Sequence, residues 1–121
     1  MKILIALFLV VSVYAKTIPV HISAYTSHKN QTSKHPFTAA WGLKLKKHHK
    51  KKIIAVSRDL LKKYKLKPGQ KVYLKTKNFK GYVRVQDKMN KRWKRKVDLY
   101  FYTAKNEALR FGVRKGTITI R

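Results

Sequence analysis

The chain has 121 residues, enough for one domain and not two. It carries 31 Lys and Arg against only four acids, a formal net charge of +27, and no cysteine. Disulfide scaffolds and cysteine nucleophiles are thereby excluded, and the charge calls for a partner of negative sign.

The chain opens with Lys2, an apolar run from Ile3 to Val13, and small residues at Val13 and Ala15. This is the pattern of a secretory signal peptide over residues 1–15. The run is too short for a membrane span, which needs roughly 20 residues. No cysteine follows it to carry a lipid. The mature domain, 16–121, is expected to be exported to the periplasm or cell envelope. Without disulfides it must hold a compact apolar core. Its anionic partners are then expected outside the cytoplasm: peptidoglycan stem-peptide carboxylates, wall polymers, lipopolysaccharide or anionic lipid head groups. Nucleic acid is not expected, and the domain is read as a monomer.

Val20 to Tyr25 alternates as a strand does, and Thr26 to His35 is a polar loop. Phe37 to Trp41 is a short extended candidate closed by Gly42. Lys44 to Lys52 reads as a solvated basic turn. Ile53 to Val56 is an apolar strand buried on both faces. Ser57 is placed to cap a short helix over Asp59 to Tyr64, with Asp59 favouring its dipole. After a turn at Lys67 to Gln70 come alternating strands at Lys71 to Thr76 and Gly81 to Asp87. A basic loop, Lys88 to Arg95, carries Arg92 and Trp93. Lys96 to Tyr102 is the next strand. Thr103 is placed to cap a helix ending at Phe111 before Gly112, and Thr117 to Ile120 is the last strand. With about six or seven short strands and two helices, the pattern predicts a small mainly β domain, a barrel or sandwich.

Four acids allow each to be weighed singly. Glu107 reads as the wet side of a helix and Asp59 as a dipole and capping residue. Asp98 lies mid-strand on the face opposite Val97, Leu99 and Phe101, an unusual place for a carboxylate. Asp87 ends a strand on the face of Val83 and Val85, and is expected at the rim of the core. Two salt-bridged surface acids would explain the pair equally well. Brought together, the two suit glycosidic chemistry, in which one carboxyl stays protonated to serve as acid. Burial and a neighbouring carboxylate favour that state, and Lys and Arg oppose it. The five histidines match no metal motif, and nothing supports a serine nucleophile.

Ile54-Ala55-Val56-Ser57, Lys71-Val72-Tyr73, Val85-Gln86-Asp87, Val97-Asp98-Leu99-Tyr100-Phe101 and Glu107-Ala108-Leu109-Arg110-Phe111-Gly112 stand in the order and spacing of the three-aspartate (3D) domain. Ala24-Tyr25-Thr26 and Thr38-Ala39-Ala40-Trp41-Gly42 resemble that domain's opening, and the likeness covers residues 22–120. Two positions depart from the family. Ser57 stands at its first aspartate, and the basic segment Lys88 to Lys96 replaces its Gly-rich stretch.

The resemblance implies a six-stranded double-psi β-barrel with two short helices, as in MltA-type lytic transglycosylases and RlpA-like proteins. It further implies cleavage of the MurNAc–GlcNAc bond of peptidoglycan, leaving a 1,6-anhydro end. Asp98 would be the catalytic acid and base and Asp87 its partner. Thr38, Tyr25, Trp93 and Arg92 are the candidate glycan contacts. No metal or cofactor is implied. A non-catalytic peptidoglycan-binding module on the same barrel, or a cationic protein that binds the envelope by charge, are the alternatives.

Overall fold

The computed structural model describes residues 15–28 and 35–121. The signal-peptide reading of 1–15 falls almost wholly outside them. Six strands alternate with two helices: β1 Lys16–Tyr25, β2 Ile53–Val56, α1 Arg58–Lys63, β3 Gln70–Thr76, β4 Phe79–Lys88, β5 Lys96–Tyr100, α2 Lys105–Phe111 and β6 Arg114–Ile120. They close into a barrel in the order β1-β5-β2-β4-β3-β6. The β1–β5 and β2–β4 pairs are parallel and the rest antiparallel.

Closure follows from the period-two pattern. Every strand sends one apolar set inward: Ile18, Val20 and Ile22 from β1, Ile54 and Val56 from β2, Val72 and Leu74 from β3. Val83 and Val85, Val97 and Leu99, and Ile118 and Ile120 complete the core. A closed ladder leaves no sheet edge to guard, which suits a chain without disulfides. Leu60 of α1 and Ala108 of α2 pack against the same core. β2 is buried along its whole length, as its apolar sequence predicts. On its outer face Ile53 packs with Ala39, Leu45 and Tyr100 in a second cluster.

Several boundaries differ from the sequence reading. Phe37 to Trp41 is not a strand. It makes one isolated bridge, Thr38 to Lys44, and turns at Gly42, whose φ of 90° suits glycine. The physical reason is that its backbone is engaged elsewhere, with the Ala40 N–H donated to Asp87. β5 stops at Tyr100, because Tyr102 adopts a left-handed φ of 56°. β1, β4 and β6 are longer than the alternation indicates. Neither expected helix cap forms. Ala104, not Thr103, precedes α2, and Ser57 makes no cap bond because its hydroxyl accepts the Lys96 N–H at 3.1 Å.

Gly116 is where the barrel is tightest. A Cβ there would lie 2.4 Å from the Lys75 carbonyl oxygen and 2.4 Å from Ile22 Cδ1. The carbonyl belongs to a paired strand and cannot swing aside. Gly116→Ala should therefore lower the unfolding free energy by about 1–3 kcal/mol in a denaturant titration, as overpacking does. Unchanged stability would contradict this packing.

Candidate functional site

The two late aspartates meet through a slip in strand pairing. Ile54 of β2 pairs with Val85 of β4, but the next residue, Ala55, pairs with Asp87 and not Gln86. The extra residue is a bulge, and it re-aims the side chains that follow it. Asp87 was expected on the inward face, and the bulge corrects this. Asp87 shares the outer face with Ala55, which pairs on its other side with Asp98 of β5. Asp98 in turn pairs with Ser23 of β1. Four strands thus present Ser23, Asp98, Ala55 and Asp87 in one row, and small Ala55 leaves the space between the carboxylates open.

Each carboxylate is held. The Ser23 hydroxyl donates to Asp98 Oδ1. Asp87 Oδ1 accepts the backbone N–H of Ala40 at 2.9 Å and of Lys88 at 3.0 Å. Asp87 Oδ2 accepts from the Tyr25 hydroxyl at 3.3 Å. The surface-ion-pair alternative is not what the structure contains. Among the described residues both salt bridges end on Glu107, from Lys50 at 2.5 Å and Lys51 at 3.4 Å.

Burial pushes the Asp98 carboxyl above its ordinary value, and the negative charge of Asp87 adds to this. The Ser23 bond and Lys96 pull it back only in part. Burial likewise raises Asp87, against the hydrogen bonds from Ala40, Lys88 and Tyr25 and the charge of Lys88. Burial first, then the charges of Asp87 and Asp98, lift the Tyr25 phenol well above 10.0, so it remains a donor.

Both acids open into a cleft of about 520 Å³, and all six residues singled out from the sequence line it: Tyr25, Thr38, Asp87, Arg92, Trp93 and Asp98. Trp93 is 37% exposed. Lys96 Nζ lies 3.7 Å and the Arg92 guanidinium 4.9 Å from its ring. Sequence reasoning missed Arg58, which also lines the cleft while its Nε donates to the Met89 carbonyl. It missed Ser23 as well. The signal was there, since alternation puts Ser23 on the face of Tyr25.

The other acids serve the frame. Asp59 accepts the Arg95 N–H at 3.0 Å and so ties α1 to the basic loop. Burial pushes its carboxyl up, but bonds from Ser57, Arg95 and Leu60 outweigh this and hold it low. Ser57, at the position of the resembling family's first aspartate, is fully buried and does not line the cleft.

No family model matches the chain, and no curated protein matches it. Solved structures do. The apo expansin of Clavibacter michiganensis superposes with a TM-score of 0.59 and 16% identity, over 88% of this chain and 51% of that one. The Streptomyces papain inhibitor superposes with a TM-score of 0.55 and 15% identity, over 88% of this chain and 96% of that one. The chain folds as a double-psi β-barrel. It spans about half the length of the expansin chain, and at these identities the likeness is one of fold. The narrower three-aspartate assignment rests on the sequence motifs.

On this double-psi barrel the acid pair opposes folding near neutrality. A carboxyl whose folded value is raised contributes stability below its unfolded value and loses it as pH rises through the folded value. Asp98→Asn keeps an acceptor for Ser23 and removes that titration. The variant should be more stable than wild type at neutral pH, with the gain vanishing below the ordinary value of 3.8. Thermal unfolding across pH measures this, and a variant less stable at neutral pH contradicts it.

Proposed function

We propose that the cleft binds a bacterial cell-wall glycan strand, the barrel acting as a peptidoglycan-binding module. The observation that carries this reading is the gathering of three complementary surfaces in one cleft. Trp93 and Tyr25 offer aromatic area to the apolar face of a sugar ring. Asp87 and Asp98 accept hydrogen bonds from sugar hydroxyls. Arg58, Arg92 and Lys88 meet the carboxylates that lactyl groups and stem peptides carry. The net charge of +27 speeds encounter with such a polymer. Export to the envelope belongs to the same proposal.

A second reading, lytic transglycosylase action, is favoured by one specific observation: among the described residues Asp98 forms no ion pair, and burial raises it against the pull of Lys96. In that reading protonated Asp98 donates to the glycosidic oxygen as the C1–O bond of MurNAc breaks. The C6 hydroxyl of the same sugar closes on C1, and its proton returns to Asp98. The products are a 1,6-anhydro end and a free GlcNAc hydroxyl. Burial holds the Asp98 carboxyl up, and Asp87, fixed by Ala40, Lys88 and Tyr25, adds to this by its charge. Ser57 lies buried off the cleft, so the departure from the family leaves both cleft carboxyls in place.

Purified protein incubated with sacculi separates the readings. The binding module is expected to co-sediment without soluble product, and Trp93→Ala with Arg92→Gln should weaken retention roughly tenfold, as loss of central anchors does. Release of anhydro-muropeptides, reduced by about 100-fold or more in Asp98→Asn, establishes the enzyme. Retention that is indifferent to every cleft variant and lost in moderate salt contradicts both.

A further inference from the structure

The outer face of β3 and β4 carries like charges directly opposite one another. Lys71 pairs with Arg84, and Lys75 with Lys80. Between these rows Tyr73 pairs with Tyr82. Like charges opposed across an antiparallel pair are destabilising, and here they occur twice on one face. None of the four acids of the chain lines it. Tyr82 is also 53% exposed. An arrangement that costs stability, exposes an aromatic ring and recruits no acidic side chain suits an anionic partner.

Shallow hollows run along the face. A hollow of about 380 Å³ at one end is lined by Lys71, Arg84, His48 and His49. One of about 690 Å³ at the other is lined by Lys75, Lys77 and Lys80. A third, of about 560 Å³, joins them, sharing Lys71 and Tyr82 with the first and Tyr73 and Thr119 with the second. The two cation rows are four strand residues apart, about 14 Å. A single phosphate cannot span that distance, and a chain bearing several can.

We infer that this face is a second binding site, distinct from the cleft, for a phosphodiester-linked polyol chain. The tyrosines favour that occupant over nucleic acid. Their rings sit edge to face, 5.0 Å apart and inclined at 71°, and Lys71 Nζ lies 4.6 Å from the Tyr82 centroid. The two rings are engaged with each other and with a cation, whereas a platform for successive bases presents ring faces side by side. Opposed cation pairs four residues apart along the strands instead suit a flexible backbone of phosphates and short carbon units. The site shares no residue with the glycan cleft and stands whether or not that proposal holds.

The probe is fluorescently labelled poly(glycerol phosphate), titrated with the full chain at one fixed salt concentration. Wild type is expected to bind. The triple variant Lys71→Gln/Lys75→Gln/Lys80→Gln should lose affinity by about tenfold or more, as the loss of several phosphate contacts does. A control with the same charge change at exposed positions off this face, Lys62→Gln/Lys65→Gln/Lys105→Gln, should lose no more than about threefold. Removing the opposed charges should leave stability unchanged or raised. Absence of binding, equal losses in both triples, or a less stable face variant overturns the assignment. So does tighter binding of a single-stranded oligonucleotide of equal phosphate number.

Discussion

Between Ile54 and Ala55, β4 carries one residue more than β2 can pair, and the site rests on that mismatch. In a continuous ladder Asp87 would oppose Val56 and point into the apolar core, where an ionised carboxylate has no partner. The slip turns it to the outer face, into line with Ala55, Asp98 and Ser23. Val83 and Val85, which precede the slip, still fill the core. A single local irregularity thus keeps the barrel apolar inside and places two acids side by side outside.

The second constraint is electrostatic. A chain with 31 cations would be expected to neutralise four acids at once. Instead it divides them. Glu107 takes both ion pairs found among the described residues, and Asp59 is spent on the Arg95 N–H. Asp87 and Asp98 are held by Tyr25, Ser23 and backbone N–H groups, so burial decides their protonation. Lys96, the cation nearest in sequence to Asp98, reaches over Trp93. Arg58, Lys88 and Arg92 line the same cleft, yet among the described residues no cation forms an ion pair with Asp87 or Asp98.

Much of the barrel was legible because its strands obey a strict period of two. Val97 and Leu99 against Asp98, or Val72 and Leu74 against Tyr73, announce their faces without help. Asp98 could be singled out for the same reason, and the cleft does gather Tyr25, Thr38, Arg92 and Trp93 around it. The bulge was not legible, because nothing in Val85-Gln86-Asp87 marks a residue as extra; only the partner strand defines it. The segment from Phe37 to Trp41 misled, since only Ala39 packs beside β2, Phe37 and Trp41 stay exposed, and the segment makes a single isolated bridge in place of a ladder. The caps misled because Ser57 found a tertiary partner in Lys96, which sequence spacing does not reveal.

The most direct measurement is a carboxyl-carbon NMR titration of the aspartates in the folded protein. The account predicts that Asp87 and Asp98 titrate above the ordinary value of 3.8 while Asp59 titrates below it. Asp87 and Asp98 both titrating below that value would mean that the surrounding cations, and not burial, govern the cleft, and would contradict it.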